Sequence, residues 1–198
     1  MTAGRTVILA AGGFPRKGSV AAKALESAVR VVCCDGAADA YRRRTGREPD
    51  AVVGDCDSLK GRFRNVVPDP SQDTNDLEKA AAYCRRRGWK NPLVLGATGK
   101  REDHSVGNVF RALDLGLEIL ADAGRFVPVE GKTVFRARKG TPVSIFATDP
   151  ATKASSKGLE WKLDGVKFDS IYRATLNRAS AGRVEISCDR RLFVYFAF

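Results

Sequence analysis

The sequence contains a single histidine, His104, among its 198 residues, which excludes a metal site assembled from several imidazoles. Cysteine is sparse and odd in number: five residues, two of them the adjacent Cys33 and Cys34, with no C-x-x-C pair. That pattern offers neither a disulfide framework nor a zinc module, and it points to a reducing, cytoplasmic setting. No uninterrupted apolar stretch nears the roughly 18–20 residues needed to cross a bilayer, so no membrane partner is expected. Met1 to Arg5 lacks the basic start and long apolar core of a secretory signal. Internal repeats and low-complexity tracts are not evident. With 43% hydrophobic and 29% charged residues, the chain reads as soluble and globular, one large domain or two small ones.

Positive charge is what the sequence has in excess: 34 Lys and Arg against 23 Asp and Glu leave +11. Nucleic acid is the first partner such a balance suggests. The distribution argues otherwise. Residues 1–122 carry +4 and residues 123–198 carry +7, and the acids of the first part gather in short motifs. The arginine runs 42–44 and 85–87 fall at the ends of predicted helices, where they complement the dipole, and they lack the interleaved aromatics that stack on bases. No nucleic-acid partner is expected.

Up to about residue 122, apolar runs alternate with helical patterns. The runs 6–11, 29–34, 51–53, 92–95 and 117–120 are continuous rather than alternating, as in strands covered on both faces of a parallel sheet. Between them, 19–28, 37–44, 75–87 and 103–115 read as helices, which predicts a three-layer α/β/α domain with a mainly parallel sheet over 1–123. Beyond a boundary at 122–125 the texture changes. Segments 126–130, 133–138, 142–146, 159–163, 183–188 and 192–198 are short and alternating, which predicts an antiparallel β-sandwich over 124–198. Segment 151–158 reads as a mobile polar loop.

Ligands of open α/β sheets bind outside the carboxyl ends of the strands, so the turns that end these runs are where chemistry is expected. In Gly54-Asp55-Cys56-Asp57-Ser58, a continued strand would aim Asp55 and Asp57 to one side, where the two carboxylates repel unless a hard cation such as Mg²⁺ lies between them. In Gln72-Asp73-Thr74-Asn75-Asp76-Leu77-Glu78-Lys79, Thr74 or Asn75 caps a helix whose buried stripe is Leu77, Ala80, Ala81 and Cys84. Gln72, Asp76 and Lys79 share its other face, a cation beside carboxylates as a nucleotide phosphate requires. Gly96-Ala97-Thr98-Gly99-Lys100-Arg101 fails the P-loop spacing because Arg101 follows Lys100. Arg101 can instead clamp phosphate, Asp103 can cap the next helix or join the metal, and His104 reads as a hydrogen-bonding residue at a helix start. Gly12-Gly13 and Asp35-Gly36 follow the first two strands, where glycine permits close approach to a ligand. Asp39 reads as solvent-facing on its helix. Together these turns bring Asp35, Asp55, Asp57, Asp73, Asp76 and Asp103 to one sheet edge with Lys79 and Arg101.

The set Asp35-Gly36-Ala37, Gly54 to Ser58, Gln72 to Lys79 and Gly99 to His104 with Asn108 resembles, in order, the motifs of thiamine pyrophosphokinases. The resemblance implies an N-terminal domain binding ATP and Mg²⁺, a C-terminal sandwich binding thiamine, and a homodimer whose active sites are shared between subunits. It implies transfer of pyrophosphate from ATP to the hydroxyl of thiamine, releasing AMP. Asp55, Asp57 and Asp76 are then the Mg²⁺ ligands, and Lys79 and Arg101 hold phosphate oxygens. Asp35, Gly36, Gln72, Asp73, Thr74, Asp103 and His104 contact or orient the nucleotide and its metal.

Gly158-Leu159-Glu160-Trp161 is similar to the family's G-L-K-W segment, so Trp161 is expected to stack on the vitamin, a cation against an indole face. Trp89 lacks such a context and reads as structural. Ala174-Thr175-Leu176-Asn177 resembles the family's S-T-S-N stretch with Leu176 in a serine position, leaving Thr175 and Asn177 as thiamine contacts. That departure keeps a related pyrophosphokinase of a pterin alcohol as the alternative.

Overall fold

Short apolar runs bounded by Gly and Asp become the strands of a parallel sheet in the computed structural model, which describes residues 4–198. Residues 1–3, part of the N-terminal stretch read above, lie outside the described residues. The chain divides into two units, one running to Asp122 and one from Ala123 to Phe198.

In the first unit, β1 (Thr6–Leu9), β2 (Arg30–Cys34), β3 (Ala51–Gly54), β4 (Val66–Pro68), β5 (Leu93–Leu95) and β6 (Ile119–Ala121) stand in the order β4-β3-β2-β1-β5-β6, all parallel. Val7, Leu9, Val31, Cys33 and Val52 share one core cluster with Ala21 and Leu25 of α1 (Val20–Glu26) and with Ala37, Ala38 and Tyr41 of α2 (Ala37–Thr45). The alternate strand residues Ile8, Val32, Val94 and Ile119 are equally buried, which is why these runs lack a polar face. Helix α3 (Asp76–Arg86) packs on β1, β2 and β3 and touches α4 (Glu102–Asp114).

Local chemistry sets the helix ends. Ser19 caps α1 by accepting from Ala22 N–H, and Gly46 ends α2 at a left-handed φ of 69°. Asn75, not Thr74, caps α3, and Glu78 closes a capping box with it. The stripe of α3 buries Leu77, Ala80 and Cys84 as expected, but Tyr83 and Lys79 join it in place of Ala81. Strand β4 escapes sequence reading because it is a three-residue edge strand, partly exposed and ending in Pro.

In the second unit, β7 (Gly124–Arg136) and β11 (Arg183–Ala197) pair antiparallel along nearly their whole length, with a register shift between Cys188 and Leu192. Each absorbs two of the expected short strands. Strand β8 (Pro142–Phe146) joins the C-terminal half of β11, β9 (Ala154–Lys157) its N-terminal half, and β10 (Ala174–Arg178) joins β8.

Two expectations fail here. The 151–158 segment is not a loop: β9 lies in it, because pairing with β11 and a buried Ser156, whose hydroxyl accepts from Leu163 N–H at 3.0 Å, outweigh its polar composition. The 159–163 segment is not a strand. Leu159 and Leu163 plug into the core, and among the described residues the segment's ladder contact is an isolated bridge from Leu159 to Ala179.

Cys33, Cys34, Cys84 and Cys188 are buried free thiols, and Cys56 is half-buried. Burial pushes the Cys33 and Cys34 thiols up, and that of Cys84 up to about 11. A thiol reagent at mildly alkaline pH should therefore titrate at most one group, Cys56, in the native protein, and all five after denaturation. Two or more fast thiols would contradict this core. No helix among the described residues is long and apolar enough to cross a membrane.

Candidate active site

The carboxyl ends of β2 and β3 carry the aspartates. Asp35 follows β2 at a φ of +37°, and Cys56 sits between Asp55 and Asp57 at +66°, both in the left-handed region that L residues rarely occupy. The strand therefore does not run on through Asp57. A sharp turn, closed by Asp57 N–H donating to Asp55 Oδ1 at 3.3 Å, brings the two carboxylates together where strand alternation had been expected to do so.

One carboxylate oxygen from each of Asp35, Asp55 and Asp57 lies within 4.8 Å of the others. Asp35 is 3% exposed; its Oδ2 accepts from Ser58 N–H at 3.1 Å, while its Oδ1 is buried with no partner. Burial raises the Asp35 pKa, and the neighbouring Asp55 and Asp57 charges push the same way. The Asp57 backbone N–H holds the Asp55 carboxyl below its ordinary range, helped by Gln72 and Lys79. A buried carboxylate with one unpaired oxygen, gathered with two further carboxylates, is a donor set for a hard cation that accepts oxygen ligands, so the residues present fit Mg²⁺.

Asp76 stands beside this group. A side chain on Gly54 would come within 3.0 Å of Asp35 Cβ and 3.1 Å of Asp76 Oδ1, so glycine is what lets β2 and α3 close in there. Burial raises Asp76, and Lys79 partly offsets the rise. Lys79 is only 4% exposed, and its Nζ lies 3.6 Å from Asp76 Oδ1.

Of the remaining sequence-selected residues, Gln72 reaches Asp55 from the exposed loop before α3. Asp73 and Thr74 are exposed on the same loop, and His104 is exposed in the first turn of α4. Arg101, just before α4, forms a two-pronged pair with Asp103 of its exposed first turn, at 3.1 and 2.6 Å, and this holds the Asp103 carboxyl at about 2. Neither residue is drawn into the aspartate group. Asn108 anchors the loop by donating to the Ala97 carbonyl at 3.1 Å.

A cavity of about 340 Å³ opens between the turn after β1 and the start of α2, lined among others by Phe14, Gly36, Asp39, Arg43, Lys60 and Lys100. Sequence reading selected only Gly36 of these as a site residue. Lys60 lies two residues beyond Ser58, and that proximity is the one local signal that points to it. Asp39 does not idle in solvent: its two oxygens accept from Lys60 N–H and Gly61 N–H, both at 2.9 Å, and so shape the cavity wall. Gly12 lines the same cavity, and it and Gly13 also pack the loop. Their N–H groups donate to Gly96 O and Thr98 O at 2.9 and 2.7 Å, and a side chain on Gly13 would strike Gly99 O at 2.9 Å.

In the second unit, Trp161, Thr175 and Asn177 surround a cavity of about 330 Å³ that Leu163, Arg173 and Leu176 also line. Trp161 is 52% exposed, with the Arg178 guanidinium 5.5 Å from its ring centre. Asn177 is only 5% exposed and spends its amide on the protein. Its Oδ1 accepts from Trp161 and Arg178 N–H at 3.2 and 2.8 Å, and its Nδ2 donates to Trp161 O at 2.7 Å. Asn177 thus clamps the backbone of Trp161. Leu176 is 86% exposed at a left-handed φ of 61°, and the Thr175 hydroxyl donates to Tyr172 O at 2.8 Å.

Comparison with known proteins gives a consistent set of relatives. The family model described as "Thiamin pyrophosphokinase, catalytic domain" matches residues 21–119, and "Thiamin pyrophosphokinase, substrate-binding domain" matches residues 124–195. Thiamine pyrophosphokinase 1 of Oryza sativa subsp. japonica is 27% identical over 69% of this chain and 66% of its own length, so the match spans just under two thirds of that relative. Among solved structures, a protein from Lactobacillus plantarum superposes with a TM-score of 0.78 at 21% identity, covering 98% of this chain and 99% of that one. The yeast thiamin pyrophosphokinase gives 0.78 at 14%, covering 100% and 87%. The thiamin pyrophosphokinase from Geobacillus thermodenitrificans gives 0.75 at 20%, covering 98% and 97%. These similarities establish a shared mixed α/β, sheet-dominated fold.

Proposed function

The chain belongs to the thiamin pyrophosphokinase family, and from that premise we propose that it transfers pyrophosphate from ATP to thiamine. The thiamine hydroxyl oxygen bonds to the β-phosphorus, the bond from that phosphorus to the α-phosphate oxygen breaks, and AMP leaves with thiamine pyrophosphate as the other product. The observation that carries this reading is the convergence of the Asp35, Asp55 and Asp57 carboxylates, with one Asp35 oxygen buried and unpartnered.

In this reading the unit up to Asp122 is a three-layer ATP- and Mg²⁺-binding domain, and the unit from Ala123 is a thiamine-binding sandwich. Asp35, Asp55 and Asp57 would hold Mg²⁺. Asp76, read from sequence as the third ligand, borders the site as the partner of Lys79. Bound Mg²⁺ neutralises phosphate charge and so favours displacement at phosphorus. Lys79 presents a desolvated cation to the transferring group, where low dielectric strengthens its pull. Arg43, Lys60 and Lys100 supply positive charge around the cavity for ATP. Arg101, once it leaves Asp103, clamps a phosphate through its planar fork. One of the cluster carboxylates accepts the hydroxyl proton.

Trp161 offers its open indole face to the thiazolium, and Asn177 acts through the Trp161 backbone as a positioning residue. Asn177→Ala should raise KM for thiamine several-fold with little change in KM for ATP. Leaving Trp161 N–H and C=O unpaired should also cost about 1–3 kcal/mol of stability, read by denaturant melts. An unchanged thiamine KM would remove the residue from this role. We further propose a cytoplasmic homodimer in which each active site draws on both subunits, as the resemblance implies.

The direct test mixes the protein with ATP, Mg²⁺ and thiamine. AMP and thiamine pyrophosphate should appear in equal amounts, and Asp57→Ala should fold but lose turnover. Release of ADP, or no AMP at all, would overturn the proposal. AMP release with a pterin alcohol but not with thiamine would assign the other substrate, the alternative that Leu176 raises.

A further inference from the structure

Opposite the aspartates, at the amino ends of the parallel strands, lies a second basic pocket that the proposed reaction does not use. Arg30 opens β2, Asn91 and Pro92 lead into β5, Gly88 and Trp89 follow α3, and Leu115 to Leu117 follow α4. A cavity of about 320 Å³ lies at this end, lined by Arg85, Trp89, Lys90, Asn91, Leu115 and Leu117, among others, with Arg30 behind Trp89 and outside the lining. That volume is at the small end of ligand pockets, about 300–1,000 Å³.

Its electrostatics are one-sided. The guanidiniums of Arg30 and Arg87 lie 5.1 and 5.6 Å from the Trp89 ring centre, and Tyr83 braces the same ring edge-on at 5.7 Å. Cation–π contact fixes those two side chains without neutralising them. Among the described residues, no ion pair joins Arg30, Arg85, Arg87 or Lys90 to an acid, whereas the acids nearby are engaged. Glu118 is held by Arg5 at 2.6 Å and Asp114 by Arg111 at 3.6 Å, and Asp50 accepts from Val31 N–H at 2.8 Å. The cavity floor is apolar, from Ala81, Leu115 and Leu117. An apolar floor flanked by Arg85 and Lys90 is complementary to a flat ring that carries phosphate.

We propose that this pocket is a second, non-catalytic site for a phosphate-bearing heteroaromatic ligand of nucleoside-monophosphate size, with the ring on the Leu115–Leu117 floor and the phosphate between Arg85 and Lys90. The proposal goes beyond the reaction above and does not depend on it. Helix α3 connects the two regions, with Asp76 and Lys79 in its first turn and Arg85 in its last, a span of roughly 16 Å.

The chain has two tryptophans, so Trp161→Phe leaves Trp89 as the only indole reporter. AMP is titrated into that full-length variant in Mg²⁺-free buffer, with inorganic pyrophosphate and a single-stranded oligonucleotide as parallel probes. A saturable change in Trp89 emission is expected with AMP, half-complete below about 1 mM, weaker with pyrophosphate, and weakened by salt. Adding Arg85→Glu and Lys90→Glu, both on exposed positions, should raise the half-saturation point on the order of tenfold or more with the circular dichroism spectrum unchanged. Adding Asp57→Ala instead should leave the titration as it was. The absence of a saturable response to AMP would overturn the proposal. So would a response that survives the charge reversals, one lost with Asp57→Ala, or one confined to the oligonucleotide.

Discussion

Asp35→Asn is expected to lower turnover on the order of 10³-fold while leaving the Mg²⁺-free protein at least as stable as its parent. The two halves of this result have one cause. Asp35 is a buried carboxylate with an unpartnered Oδ1, and its charge is disfavoured by burial. The amide has the same shape, keeps an oxygen to accept from Ser58 N–H, and tolerates the left-handed φ of +37° as well as aspartate does. What it removes is the negative oxygen offered to a cation alongside Asp55 and Asp57.

Melts in chelator and in Mg²⁺, run beside the thiamine assay, separate the two effects. Mg²⁺ should stabilise the parent, by about 2.7 kcal/mol when it stands at about 100 times its dissociation constant, and should stabilise the variant far less. A variant that keeps full turnover, or that gains as much from Mg²⁺ as the parent, would exclude Asp35 from the site.

Lys79→Met should be the other severe lesion, with turnover down by about 10²–10³ and stability down by about 1–3 kcal/mol. Lys79 is buried against the α3 stripe, so methionine retains much of the packing of its stem. Its ammonium is the cation 3.6 Å from Asp76 Oδ1, and removing it leaves a carboxylate already disfavoured by burial without its partner. Asp76→Asn in the same background should recover part of the stability and none of the activity. Recovery of turnover in that double variant would mean that Lys79 serves only to neutralise Asp76. Single-turnover and steady-state assays for AMP, together with urea melts of the three variants, provide these readings.

Where sequence reading succeeded, the signal was local. Helix α3 could be read because its capping pair, Asn75 and Glu78, is three residues apart and its stripe of Leu77, Ala80 and Cys84 repeats at the helical period. Where reading failed, the stabilising partner was distant along the chain. Strand β9 is held by β11, some thirty residues on, and its own Ala-Ser-Ser-Lys carries no strand pattern. Lys79 reads as a phosphate-site cation on the face opposite the buried stripe of α3, yet the fold buries it with that stripe. Asn177 reads as a ligand contact, but β10 places it where its amide is consumed by Trp161.

The sequence by itself determined the alternation of strands β1, β2, β3, β5 and β6 with four helices, the change from α/β to antiparallel β texture near residue 122, and the chemical types gathered in the turns. Those properties follow from residue periodicity and turn propensity, which act over a few positions. Only the tertiary structure decided which carboxylates meet. Asp35 is 22 residues before Asp57, and the two converge because β2 and β3 are neighbours in the sheet and left-handed turns at Asp35 and Cys56 bend both chains inward. Burial of one Asp35 oxygen without a partner is likewise a consequence of that packing. In the proposed reading, it is what makes a common acidic motif an oxygen site for a cation.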